Sequence, residues 1–367
     1  MKPRESYRVT AVWLVEFHNL GTTTVELPGH LFLLGDNGSG KTTLLDAIHL
    51  VLTAGREMEF KSAARVAGAK DSGGRTYQGV VLRYNAVTGR PARESGITYA
   101  ALELKSSAGR VLSLAVGLAA EGMDVAIERW GGLAAVPVAD LPLTIDEGGR
   151  LRAATAAEFK RGMSALTGGH AYAHINDYAD AVGDRLFGGA DKYADVCKLL
   201  RTGKAYREIA ARAANYDELF RQLLEDPSRE TFEPLLKGLR ELEESKAVPN
   251  YLLILTVAEF LYHGGESSDP PKAAPLLFDE AFYGIDAARR DQLLAFAEDL
   301  GLQLFVSSPD QDGVKREIRH SVSLIVVKDE NLDVHLSPVT WNNAAVQTGL
   351  FDGESPALGM TVGEETR

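Results

Sequence analysis

One cysteine, Cys197, in 367 residues leaves no intrachain disulfide and no cysteine cage for a metal. No uninterrupted apolar run approaches the roughly 18 residues that a membrane helix needs. The opening MKPRESYRVT lacks the apolar core of a signal peptide. Cations are outnumbered, with 39 Lys and Arg against 51 Asp and Glu, a net charge of −12. That excludes a chain-wide basic surface for nucleic acid and leaves room only for a local patch. These absences point to a cytoplasmic protein with no membrane partner. What is present, 45% hydrophobic and 25% charged residues, is the composition of an ordinary globular chain.

The first residues read as strands: Tyr7–Val15, Thr22–Leu27 and the short apolar run His30–Leu34, which stops at a glycine. Thr42 to Ala54 then places Leu44, Leu45, Ile48, Val51 and Leu52 at helical spacing. Residues 30–54 therefore form a strand, a glycine loop and a helix. Val80–Tyr84, Ile97–Leu104 and Val111–Val116 read as strands of an antiparallel sheet, the last two joined through Ser107-Ala108-Gly109. Residues 155–245 read as mainly helical, and 251–262 as an apolar helix. After the Gly264–Pro271 loop come a strand (Ala274–Phe278), a helix (Ala287–Leu300) and strands at Leu302–Val306 and Val322–Val327. Beyond Trp341 the tail is polar.

Gly35-Asp36-Asn37-Gly38-Ser39-Gly40-Lys41-Thr42 matches G-x-x-x-x-G-K-[ST] between an apolar strand and a helix. The glycines let successive backbone N–H groups converge on phosphate oxygens, and the helix offers its positive N-terminus. Lys41 is expected to reach the β- and γ-phosphates of ATP and Thr42 to place its hydroxyl on Mg²⁺. Asn37, Gly38, Ser39, Gly40 and Thr43 complete the nucleotide cradle. Downstream, Pro275-Leu276-Leu277-Phe278-Asp279-Glu280 is an apolar strand ending in two carboxylates. Asp279 is expected to hold Mg²⁺ opposite Thr42, and Glu280 to orient and deprotonate the attacking water. Asp286 is a sound N-cap for the helix that follows.

These residues resemble a known family. Gly35–Thr42, Phe278-Asp279-Glu280 and the Gly284-Ile285-Asp286 turn are similar to the ATP-binding-cassette heads of SMC-like proteins. GDNGSGKTTLLDAIHLVL and PLLFDEAFYGIDAARRDQLLAF most resemble the MukB/MksB branch, including the motors of Wadjet plasmid-defence systems. The resemblance implies an α/β, ABC/SMC-type P-loop ATPase head with a mixed central sheet, an antiparallel β-subdomain and a helical subdomain. It implies half-heads at 1–201 and 246–341, coil stumps or a seam at 202–245 and a flexible tail at 342–367. It also implies ATP-dependent pairing with a second copy of the head. The implied partners are kleisin and small winged-helix (KITE-type) subunits, a toprim-type nuclease and double-stranded DNA.

The sequence departs from that pattern in three places. Lys41 and Asp279 are only 238 positions apart (279 − 41), with no heptad run between them. Leu242-Glu243-Glu244-Ser245-Lys246-Ala247-Val248 stands where a Ser-Gly-Gly signature is expected, so low hydrolysis and poor dimerisation of the isolated chain are expected. Ser307-Ser308-Pro309 replaces a switch histidine, leaving Ser307 to meet a γ-phosphate or water. Two rivals stay open: a short RecF-like or overcoming-lysogenization-type ATPase in DNA repair or phage defence, and a degenerate head that holds ATP structurally. Among lesser features, Lys192, Lys198, Arg201, Lys204, Arg207 and Arg212 read as a solvated helix face rather than a DNA patch, and Gln78 as a surface residue. His49, Tyr251 and Phe260 read as packing residues.

Overall fold

The computed structural model describes residues 5–58, 76–85, 88–204, 247–263, 271–279, 281–282, 285–308, 315, 318–330 and 332–343. The chain begins with β1 (Tyr7–Val15), β2 (Thr23–Glu26) and β3 (His30–Leu34), then helix α1 (Lys41–Thr53) and the short α2 (Tyr77–Val81). A run of strands follows: β4 (Tyr84–Asn85), β5 (Arg90–Pro91), β6 (Ser95–Ser106), β7 (Val111–Glu121), β8 (Glu128–Ala134), β9 (Thr144–Asp146) and β10 (Leu151–Ala153). Next come α3 (Ala156–Met163), β11 (His170–Tyr172), α4 (Ile175–Leu186), α5 (Ala190–Lys204) and α6 (Ala247–His263). The described chain ends with β12 (Pro275–Phe278), α7 (Ala287–Asp299), β13 (Gln303–Ser307), β14 (His320–Lys328) and β15 (Val334–Asn342).

Two sheets organise these elements into an α/β fold. In one, the order is β11-β8-β7-β6-β1-β2 and every pairing is antiparallel. In the other, the order is β12-β13-β3-β14-β15, parallel except for the last pair. Leu31 of β3 lies opposite Phe305 and Val322, so the second sheet joins the start of the chain to its end. Strands β3, β12 and β13 are buried runs, largely apolar, as parallel strands covered on both faces must be.

Helix α1 lies between the sheets, touching β6 and β7 on one side and β13 on the other. Burial on all sides explains why Asp46, His49 and Thr53 are as hidden as Leu44 and Ile48. The antiparallel sheet is itself covered on both faces. Leu102, Leu104, Leu114 and Val116 join the core around α1. Tyr99, Ala101, Ala115 and Trp130 pack with Phe159 and Met163 of α3 in a second core. One side chain pairs the sheets like a piece of strand: the buried Gln303 amide accepts from Val9 N at 2.8 Å and donates to Val9 O at 2.8 Å and Gly29 O at 2.9 Å.

The structure corrects two expectations. Val80-Val81 is helical, because Thr76 accepts the Gly79 N–H at 3.0 Å and caps a turn; of the Val80–Tyr84 run, only Tyr84 enters a strand. The 155–204 part of the helical expectation is interrupted by β11, which extends the antiparallel sheet through His170–Tyr172. Strands β8 and β15 were not expected. β8 carries Gly131-Gly132, and each glycine admits a ring. A Cβ on Gly131 would sit 2.4 Å from Tyr178 Cγ, and one on Gly132 2.7 Å from Phe159 Cζ. The 205–245 part of the helical expectation lies outside the described residues.

Candidate functional site

Parallel strands bring their C-terminal ends to one edge of a sheet, and three of those ends build the site. The phosphate loop follows β3, Asp279 follows β12 and Ser307 closes β13 between them. Phe278 pairs with Val306 and Ser307 with Leu33, so the register alone sets Asp279 beside Ser307. Backbone bonds fix this edge: Ser308 N donates to Leu33 O at 3.0 Å, and Ala281 N donates to Ser307 O at 2.8 Å.

The loop turns through left-handed glycines, with φ of 147° at Gly35, 86° at Gly38 and 114° at Gly40. Two of these positions also have no room for a side chain. A Cβ on Gly35 would lie 2.3 Å from Val326 O, and one on Gly40 2.9 Å from Val334 Cγ2. Asp36, Asn37 and Gly38 form the exposed crest, whereas Ser39, Lys41 and Thr43 are buried. The Lys41 ammonium folds back onto the carbonyls of Gly35 and Asp36, the latter at 2.9 Å. A cation is thereby held at the mouth of the loop, where an anion would replace the carbonyls. Thr43 N donates to Gly40 O at 2.9 Å, and Ser39 Oγ is buried without a partner among the described residues.

Thr42 Oγ1 lies 3.2 Å from both carboxylate oxygens of Asp279, although 237 positions separate them in the sequence. Ser307 Oγ donates to Asp279 Oδ1 at 2.6 Å. A hydroxyl and a carboxylate, both hard oxygen donors beside a phosphate loop, fit Mg²⁺, which takes a few protein oxygens together with phosphate oxygens. The Ser307 hydroxyl orients the carboxylate, an arrangement the sequence did not suggest. Glu280 lies outside the described residues, but both its neighbours are held: Asp279 by Thr42 and Ser307, and Ala281 by Ser307 O. Phe282 N donates to Tyr251 Oη at 2.7 Å, and the Tyr251 ring stacks on Phe282 at 5.0 Å. Tyr251 is buried, as expected for packing, and also fixes the segment after the acidic pair.

The far end of α1 is anchored by two residues that sequence reasoning missed. Tyr178 and Tyr193 donate their hydroxyls to the carbonyls of Val51 and Leu52, at 2.8 and 3.0 Å. These carbonyls have no intrahelical partner at a C-terminus. Burial pushes both phenols well above their ordinary range. Asp286 caps α7 as expected, accepting from Arg289 N at 3.0 Å. Burial pushes the His49 imidazole down to about 4, and neither ring nitrogen has a hydrogen-bond partner among the described residues. Gln78 donates to Val125 O at 3.1 Å in an exposed position. Lys198 and Arg201 of the basic stretch pair with Asp195 and Glu57. The signature segment 242–246, together with Arg207 and Arg212, lies outside the described residues.

Residues 10–67 match the family model described as the P-loop containing region of AAA domain. A sequence comparison with curated proteins finds no match. Among solved structures, the chain is similar to an SMC head bound to the C-winged helix domain of ScpA. Identity is 14%, coverage is 90% of this chain and 97% of that chain, and the TM-score is 0.43. It is also similar to the recombination mediator protein RecF of the RecFOR pathway, solved as its ATPrS form. There identity is 12%, coverage 90% and 98%, and the TM-score 0.40. Scores at this level transfer no residue and no function to this chain.

Proposed function

We propose that this chain is the ATP-binding and ATP-hydrolysing head of a DNA-associated motor of SMC or RecF type. The observation that supports it best is the Thr42–Asp279 contact beside a phosphate loop whose lysine rests on loop carbonyls. In this reading Lys41 leaves the carbonyls of Gly35 and Asp36 for the β- and γ-phosphates, and the N–H groups of 37–43 line the phosphate chain. Thr42 and Asp279 would hold Mg²⁺, which would supply positive charge to offset that of the phosphates. Glu280 accepts the proton of the water that attacks the γ-phosphorus in line. Ser307 keeps the Asp279 carboxylate turned toward Thr42.

Within that class we assign the chain to MukB/MksB-type heads of plasmid-restricting Wadjet systems, on the wording of its two motifs. The half-heads at 1–201 and 246–341, and the partners that go with them, belong to the same proposal. Those partners are a second head, kleisin and KITE-type subunits, a toprim-type nuclease and double-stranded DNA. A short RecF-like or overcoming-lysogenization-type ATPase is the second reading, favoured by the 238 positions between Lys41 and Asp279 with no heptad run. Phosphate release and light scattering, with and without ATP and linear duplex DNA, test the proposal. ATP-dependent turnover lost in Asp279→Asn, with pairing that appears only with ATP, supports a motor head. Tight ATP binding without turnover under any condition overturns the hydrolytic part.

A further inference from the structure

The nucleotide loop is braced from the antiparallel sheet through an ion network that the proposed chemistry does not use. Arg83 follows α2 and reaches two elements. Its Nη2 lies 3.1 Å from Glu16 Oε2, just past β1, and its Nη1 lies 3.8 Å from Asp333 Oδ1, just before β15. The next residue, Val334, fills the space where a Gly40 side chain would stand. Gly40 is the N-cap of α1 and precedes Lys41. A line of contact thus runs from Arg83 through Asp333 and Val334 to the base of the phosphate loop.

Two features set this network apart from an ordinary surface pair. Glu16 serves two guanidinium groups, Arg83 and Arg93, and Arg93 is held further by the carbonyls of Val81 and Glu16. Arg83 keeps a long approach to Asp333 and a buried Nε with no hydrogen-bond partner among the described residues. It therefore has hydrogen-bonding capacity to gain by shifting. The backbone is also strained on both sides: Glu16, His18, Arg83 and Leu332 hold φ of 53°, 50°, 52° and 68°. They are four of the seven left-handed non-glycine residues among those described. Such conformations persist only where the surroundings impose them, and they gather at sites that switch or clamp.

We propose that Arg83 is a positioning residue for the nucleotide site: through Asp333 it sets the seat of Val334 on Gly40, so that phosphate binding and the placement of the antiparallel sheet are coupled. This rests on the reading of Gly35–Thr42 as a nucleotide loop. Because Arg83 acts through Asp333, removing either partner removes the same link, and removing both adds nothing.

The test is a double-mutant cycle on Mg-ATP affinity by calorimetry, using Arg83→Ala, Asp333→Asn and the pair in the full chain, with Arg83→Lys as the conservative variant and melting curves as a fold control. Each single change is expected to weaken affinity about 3- to 10-fold. The pair should be no worse than the weaker single variant, and Arg83→Lys should recover most of the loss. Asp333 is more than half exposed, so Asp333→Asn reports on the link even where Arg83→Ala does not fold. Single effects that multiply in the pair, or affinities within twofold of the unmodified chain, overturn the inference. If the unmodified chain and Lys41→Ala bind ATP equally, the nucleotide reading falls and takes this inference with it. If Lys41→Ala alone loses binding, only the role of Arg83 falls.

Discussion

The two sheets divide the labour by strand direction. In the parallel part of the five-stranded sheet every strand ends on the same edge, so β3, β12 and β13 deliver the phosphate loop, Asp279 and Ser307 to one place. In the six-stranded sheet neighbouring strands run oppositely, so their ends alternate between edges and cannot converge in this way. It has gained a second core instead, with Tyr99, Trp130 and Phe159 packed over strand glycines. Direction of pairing, rather than residue content, decides which sheet can host the chemistry and which serves as a platform. Damage to the first should therefore change chemistry at constant stability, and damage to the second, away from the Glu16–Arg83 contact, the reverse.

The largest expected effect is at the chemical edge. Glu280→Gln keeps the size of the side chain but removes the base, so ATP hydrolysis should fall by roughly 10²-fold or more while ATP binding persists. A phosphate-release assay beside a binding titration checks this; a wild-type rate would return Glu280 to the role of a strand-end carboxylate. On the platform, Gly117→Ala drives a Cβ to within 2.3 Å of Trp130 Cε2. It should cost toward the upper end of roughly 1–3 kcal/mol, with Mg-ATP affinity of the folded protein unchanged. Denaturant unfolding and calorimetry on the same samples make the comparison.

The seam between the sheets has its own signature. His49 on α1 is held near 4 by burial, whereas an unfolded histidine titrates near 6.5. Between these values the unfolded chain binds a proton that the folded chain refuses. Stability therefore falls as pH drops through this window, by about 2 kcal/mol between pH 7 and pH 5. His49→Leu should flatten that part of the profile. An unfolding free energy equally steep in the variant would assign the acid sensitivity to other groups.

The parallel sheet and its site were largely legible in the sequence because their signals are local. His30–Leu34 reads as the strand it forms and Ala274–Phe278 nearly so, and the glycine loop and Asp279 carry patterns tied to one geometry. What escaped depends on contacts distant in the chain. Val80-Val81 has strand-like residues, but a Thr76 cap makes it helical. β8 went unexpected because Gly131-Gly132 carries no strand signal of its own, and Tyr178 and Phe159 occupy the space beside it. The clasp of Ser307 on Asp279 and the tyrosine anchors of α1 join residues that no spacing rule connects. A buried tyrosine in an amphipathic helix was the only available signal for the latter.

Whether Gly35–Thr42 binds a triphosphate through Lys41 decides what this edge of the sheet does. Calorimetric titration of the unmodified chain and of Lys41→Ala with Mg-ATP decides it. Without its mobile cation the loop should lose affinity by about tenfold or more, roughly 1.4 kcal/mol, with melting temperature little changed. Equal affinity in the two proteins would contradict the assignment of this edge as a nucleotide site.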